Sequence, residues 1–178
     1  MSKITSFPGV KDGDIFQIAG MDFIKFPATN GKVPVVMKDI AFRCAFGNNV
    51  DFKESEILRR LQKEILPKII AAVGEENVCT FQTDLTTLDG VKKYGVLESK
   101  ISIPTMDFYR DNVEIFDKYK SDYWWWLATA NSAEPHYDSS LALCVSRAGD
   151  VSRGSCNGSY GVRPFLIFES SIFESSEE

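Results

Sequence analysis

Tyr123-Trp124-Trp125-Trp126-Leu127-Ala128-Thr129 and Gly161-Val162-Arg163-Pro164-Phe165-Leu166-Ile167-Phe168 are the two stretches whose reading decides the fold. An extended segment alternates its side chains between two faces, so Trp124, Trp125 and Trp126 cannot all point the same way. At least one, Trp125 or the pair flanking it, must be buried beneath the surrounding loops, as large aromatics usually are. Trp124, Trp125 and Trp126 therefore each read as structural, with a site role left open for the residue on the opposite face, since Trp and Tyr are also favoured anchors. In the second stretch the apolar run from Phe165 to Phe168 closes the domain. Gly161 offers positive φ or a close backbone approach, and Arg163 offers a planar fork of donors to carbonyls or a carboxylate. Gly161 and Arg163 therefore read as framework.

The sequence between these stretches changes character. Charged helix-formers give way to Gly, Ser, Asn and aromatics from Tyr123 onward. Leu141, Leu143 and Val145 alternate on one strand face, with Cys144 opposite Leu143, and Ala148-Gly149-Asp150 makes a turn. Residues 131–138 and 147–160 have the composition of adaptable binding loops, in which Tyr supplies area and Ser, Asn and Gly supply flexible hydrogen bonding. The candidate binding residues are His136, Tyr137, Asp138, Arg147, Arg153, Asn157 and Tyr160, expected to be exposed on one face.

Upstream, residues 12–46 read as β structure. Asp14-Ile15-Phe16-Gln17-Ile18 and Met21-Asp22-Phe23-Ile24-Lys25-Phe26 are apolar-rich runs joined by Ala19-Gly20 as a tight hairpin turn. Val33-Pro34-Val35-Val36-Met37 is a third strand, which its proline confines to a strand start or an edge. Ile57, Leu58, Leu61 and Ile65 share one helical face, with Ser55 or Asp51 as N-cap. Pro67 breaks or restarts this helix, which ends at Gly74. Thr86-Thr87-Leu88-Asp89-Gly90 is a turn. Lys100-Ile101-Ser102-Ile103-Pro104 reads as a strand delivering Thr105 as the cap of a second helix, from Met106 to about Phe116. There is no internal repeat and no interdomain linker. The expected class is α+β, with two helices packed on short, mostly antiparallel strands and a long irregular loop region. One domain spans residues 1–169, followed by an acidic flexible tail, 170–178.

Bulk properties exclude several function classes. With 178 residues, 44% hydrophobic and 25% charged, the chain suits one domain with an ample core. No apolar run approaches the ~20 residues of a membrane helix. The net charge of −5 argues against direct nucleic-acid binding. Cys44, Cys79, Cys144 and Cys156 form no CxxC pair and have no neighbouring His, so no metal or cofactor is expected. Cys144 and Cys156 flank a hairpin and could come close, but a cytoplasmic setting favours buried thiols. The N-terminal Met-Ser-Lys-Ile-Thr-Ser-Phe-Pro contains no apolar leader core, which points to cytoplasmic synthesis. His136 is the only histidine, near Asp138 and Ser139, and no Gly-x-Ser-x-Gly elbow occurs. No catalytic residue is assigned, and the chain reads as a non-enzyme.

One order of motifs carries a resemblance. Asp84-Leu85-Thr86, Asp89-Gly90 and Tyr94-Gly95 precede Ile103-Pro104-Thr105 and Phe108-Tyr109-Arg110. Trp124-Trp125-Trp126-Leu127-Ala128-Thr129 and Gly161-Val162-Arg163-Pro164-Phe165 follow. This resembles an uncharacterised family of bacterial, phage and prophage proteins ending in Trp-Leu-Arg/Ala-Thr/Ser-Pro and Gly-Val-Arg-Pro-Ala. That family is similar to the formylglycine-generating-enzyme branch of the C-type lectin fold, which includes the hypervariable receptor-binding proteins of diversity-generating retroelements. The resemblance spans residues 12 to 168 and departs at Ala130, where relatives have Pro, and at Phe165, where they have Ala.

It implies a C-type-lectin-like fold whose N- and C-terminal strands pair while irregular loops display a ligand surface. The function it implies is non-enzymatic, phage- or prophage-encoded recognition of a protein or glycan through loops 130–138 and 147–160, with virion association left open. Calcium-dependent sugar binding is disfavoured, because Glu134-Pro135-His136 lacks the amide of Glu-Pro-Asn and no Trp-Asn-Asp follows. Two alternatives stand beside it. One is an acidic intracellular phage inhibitor of a host defence nuclease, as anti-CRISPR proteins are. The other is a formylglycine-generating-type thiol or copper oxidase using Cys144 and Cys156, although no matching motif surrounds either cysteine.

Overall fold

Ala19 and Gly20 adopt φ of 52° and 78°, the twist that a two-residue hairpin turn needs. They join β1 (Ile15–Ile18) to β2 (Met21–Lys25), as the sequence suggests. The computed structural model describes residues 6–136 and 140–174. Strand β3 (Lys32–Met37) pairs with β2 on one side. On its other side it pairs with the last strand, Phe165–Glu169.

β3 is therefore an interior strand, not an edge. Pro34 is accommodated because its carbonyl accepts from Phe26 N–H. Pro34 sits opposite Phe26, just before the β2–β3 ladder opens at Val35 and Lys25, so its missing donor costs one bond at the start of the ladder.

After β4 (Phe42–Ala45) the chain forms one long helical run. Asp51 caps a 3₁₀ turn, Phe52–Glu54, and Ser55 Oγ accepts from Leu58 N–H to start α1 (Glu56–Arg60). Pro67 restarts the run rather than breaking it. A π turn, Leu61–Ile65, intervenes before α2 (Leu66–Val73), and Leu66 N–H bonds back to Leu61. The widened turn absorbs the donor and the space that a proline removes from an α-helix. Gly74, at φ 93°, ends it.

β5 (Phe81–Asp84) and β6 (Val96–Ser99) form a separate two-stranded ribbon. The strand expected at 100–104 shrinks to a single bridge between Ser102 and Phe165. Thr105 does cap the next helix, its Oγ1 accepting from Phe108 N–H. That helix is interrupted at Asn112 and divides into α3 (Met106–Asp111) and α4 (Val113–Phe116). Then come β7 (Trp125–Ala130), β8 (Leu141–Val145), β9 (Val151–Ser155), β10 (Ser159–Val162) and β11 (Phe165–Glu169).

The first sheet has the order β1-β2-β3-β11 and the second β4-β10-β7-β8-β9. All pairings are antiparallel except β10 with β7, which meet in parallel at Gly161 and Trp125. The Gly-Val-Arg-Pro stretch is the crossing point between the sheets, rather than part of one closing strand. Beside it, residues 38–41 make the same crossing from β3 to β4. The two crossings are tied by Ala41 N–H to Val162 O and Met37 N–H to Pro164 O.

Arg163 is fully buried here and donates from Nε to Met37 O at 3.1 Å. Its guanidinium lies 4.8 Å from the Trp125 ring, and burial pushes it down to about 10, still protonated at neutral pH. Gly161 serves a close approach: a Cβ there would lie 2.5 Å from Ile40 Cδ1.

Two apolar layers pack on opposite faces of the sheets. One layer packs the α1–α2 run, with Ile57, Leu61, Ile69 and Val73, against Val35, Phe168, Trp126 and Cys144. The other packs Tyr109 and Phe116 against Ile24, Val36, Trp125 and Leu143. The ordered chain also runs past the expected domain end. Residues Ser170–Phe173 form a 3₁₀ turn with Ile172 3% exposed. Phe7 N–H donates to Ile172 O, and Phe173 meets Phe16 edge-on. Apolar Ile172 and Phe173 interrupt the acidic run and dock it, so the flexible-tail reading does not apply to 170–173.

Candidate functional site

β7 is the central strand of its sheet, and all six of its residues are buried. Trp125 and Trp126 thus enter opposite layers, at 1% and 0% exposure. Burial of one Trp does not leave its neighbour's face open, because there is no solvent-facing side to this strand. Trp126 is pinned by its Nε1–H, which donates to Cys44 O at 3.0 Å. Trp124 lies just before β7, where its carbonyl still accepts from Gly161 N–H, and it is 38% exposed. Tyr160 bridges the two rings. It stacks on Trp124 (6.2 Å between centroids) and stands edge-on to Trp126 (4.5 Å). Gly154 makes room for it, since any Cβ there would collide with the Tyr160 ring.

This ladder of rings forms one wall of a cleft of about 420 Å³. Tyr123 and Asp122 extend the wall, Arg43 and Ser159 come from the paired strands β4 and β10, and Arg147 comes from the β8–β9 turn. That turn is held by Ser146 N–H to Asp150 O, Gly149 N–H to Ser146 O, and the Tyr109 hydroxyl donating to Gly149 O. The Arg43 guanidinium sits 4.9 Å from the centre of the Tyr123 ring. Among the described residues, Arg43 and Arg147 are the arginines with no hydrogen-bonded or ionic partner. Arg59, Arg60, Arg110, Arg153 and Arg163 each have one.

The candidate residues read from sequence separate into different places. Arg147 and Tyr160 line the cleft. His136 lies elsewhere, paired with Asp89 (Nδ1 to Oδ2, 2.8 Å). Arg153 is exposed on β9 and bonds Asn131, and Asn157 is exposed in the β9–β10 turn. Tyr137 and Asp138 lie outside the described residues. Arg43 and Asp122 join the cleft without any local sequence signal, Arg43 because β4 pairs with β10 across more than a hundred residues, while Tyr123 and Ser159 come from the aromatic run and the polar loop singled out in the sequence.

Asp89 organises the other cluster. Its carboxylate accepts from Ser132 Oγ at 2.6 Å and Thr87 Oγ1 at 2.5 Å, and faces His136. These bonds, Ser132 first, hold its carboxyl far below the usual range. The folded value lies below the ~3.9 of an unfolded Asp. Its contribution is therefore complete above about pH 5 and is lost as pH falls through the folded value. Because Asp89 faces solvent, the effect falls on loop order rather than on global stability. Asp89→Asn should speed amide exchange across residues 130–136 at pH 7, with little change in melting temperature. Unchanged exchange rates would show that Asp89 does not hold this loop.

The four cysteines are free thiols. Burial pushes Cys144 up to about 11, leaving little thiolate at neutral pH. Among the described residues no cluster of three or more His, Cys, Asp or Glu side chains could hold a metal ion. No helix of the described residues is long and apolar enough to cross a membrane.

Comparison with known proteins returns one similarity. Residues 90–170, a little under half of the chain, match the family described as Domain of unknown function (DUF6273). The matched segment carries Tyr123, Trp124, Arg147, Ser159 and Tyr160 but not Arg43. No curated protein and no solved structure matches the chain.

Proposed function

We propose that the chain is a non-enzymatic binding domain on a C-type-lectin-like scaffold that recognises a protein or glycan through the Trp124–Tyr160 cleft. The pairing of the last strand, β11, into the sheet of β1 to β3 supports the scaffold reading. The observation that carries the function is the cleft itself, where exposed Tyr123 and Trp124 stand beside two arginines that have no partner among the described residues. Trp, Tyr and Arg are the residues in which binding energy concentrates. Two further features favour binding over catalysis. His136 bonds a carboxylate that is itself bonded to Ser132, so Asp89 occupies the middle position that a general-base histidine takes in a nucleophilic triad. The Cys144 thiol is kept protonated by burial.

The test is a glycan array and a crosslinking screen run with the unaltered chain, Trp124→Ala and His136→Ala. Trp124→Ala should weaken recognised ligands by roughly tenfold or more, about 1.4 kcal/mol. His136→Ala should leave them unchanged, and both variants should melt close to the parent. Ligands that bind Trp124→Ala normally would remove the cleft from the reading.

A further inference from the structure

The geometry points to a carboxylate-bearing sugar, an acidic saccharide, as the ligand of the Trp124–Tyr160 cleft; this rests on the cleft being the binding site. The charge distribution is the first argument. The chain carries a net charge of −5, yet the cleft presents Arg43 and Arg147 against a single carboxylate, Asp122. Among the described residues neither guanidinium has a counter-ion, whereas every other arginine has a hydrogen-bond or ionic partner. A guanidinium presents a planar fork that matches a carboxylate in bidentate fashion.

The rings supply the second argument. An aromatic face carries negative quadrupole density, so it repels an anion and attracts positively polarised edges. Tyr123 and Trp124 are 49% and 38% exposed. A ligand filling the cleft must therefore offer an anion to the arginines and a C–H face to the rings at once. A pyranose bearing a carboxylate does both.

Asp122 and Ser159 supply the third. Each accepts hydrogen bonds from hydroxyl groups, which a sugar has in excess. Asp122 would oppose the higher charge of a phosphate, which ranks a nucleotide below a monoanionic sugar although its base could stack on Trp124. Size agrees. The cleft of about 420 Å³ falls within the ~300–1,000 Å³ of small-ligand sites. Its seven lining residues fall well short of the ~20–30 per side that a protein interface enlists. The wall is also set in advance, with Tyr160 held between Trp124 and Trp126 over Gly154.

The test titrates the full chain with methyl β-D-glucuronide, N-acetylneuraminic acid, methyl β-D-glucoside and AMP. Binding is followed by saturation-transfer NMR and tryptophan fluorescence. At least one acidic sugar should bind ten times or more tighter than the glucoside and weaken as salt rises. Arg43→Gln, Arg147→Gln and Trp124→Ala should each reduce that affinity roughly tenfold with little change in melting temperature. Equal affinity for glucoside and glucuronide would overturn the carboxylate assignment while leaving the cleft as the site. Preference for AMP would overturn the sugar assignment, as would no saturable binding of either acid. Acidic-sugar binding that survives Trp124→Ala would instead place the ligand outside the cleft and remove the site.

Discussion

A chain ending at Gly161 should show no cooperative unfolding transition, by heat or by denaturant. The residues removed supply β11, the partner of β3 from Lys32 to Val36. They also supply the bonds from Ser102 N–H to Phe165 O and from Cys79 N–H to Ile167 O, which attach the segments around β5 and β6. Val162, Phe165, Leu166, Phe168 and Ile172 are all buried. At roughly 1.5–3 kcal/mol for each fully buried side chain, their loss is on the order of 10 kcal/mol. That is comparable with the ~5–15 kcal/mol that holds an ordinary domain together. Circular dichroism and a urea titration check the result. A sharp transition in the truncated chain would show that the two sheets fold without their shared crossing. A chain ending at Glu174 keeps every contact named here and should retain its transition.

That outcome depends on contacts only partly legible in the sequence. The β1–β2 hairpin could be read because its signal is local: two apolar runs around Ala19-Gly20. The capped helices could be read for the same reason, since Ser55 and Thr105 act within three residues of their partners. The β5–β6 ribbon could not. Phe81-Gln82-Thr83-Asp84 and Val96-Leu97-Glu98-Ser99 are short and polar, and they become strands by pairing with each other. The sheet-to-sheet crossing was hidden in what reads as one apolar run, because neither Arg163 nor Pro164 announces which sheet each half will join. Pro67 and Pro34 each left two outcomes open, and in each one of the two holds: Pro67 restarts the helix as the second residue of α2, and Pro34 stands near the start of β3.

For the candidate site, composition identified part of the cleft and topology supplied the rest. Tyr160 and Arg147 stand out in a polar, aromatic segment, but Arg43 reaches them only through the β4–β10 pairing. His136 and Arg153 have the same loop composition and settle at Asp89 and Asn131 instead. Loop chemistry tells which residues are free to bind. The register of the central strands decides which of them meet.

Trp125→Ala should cost about 3–5 kcal/mol of stability, the range for truncating a buried Trp, whereas Trp124→Ala should cost about 1 kcal/mol or less. The two residues are chemically identical and adjacent, so the difference isolates their surroundings. Trp125 is 1% exposed and packs edge-on to Tyr109 at 5.7 Å, with Phe116 at the same distance. It also covers Arg163, whose Nη2 has no hydrogen-bond partner among the described residues. Removing the indole leaves a cavity beside a buried cation with less of the π density that partly compensates its desolvation. Trp125→Phe should recover much of the loss, because a ring is restored over the guanidinium. Trp124 has no such dependants: its ring stacks on Tyr160, which keeps its contact with Trp126. Urea denaturation of the three variants measures both effects. If Trp124→Ala lost as much stability as Trp125→Ala, the exposed ring would belong to the core, and its place in a ligand-binding cleft could not stand.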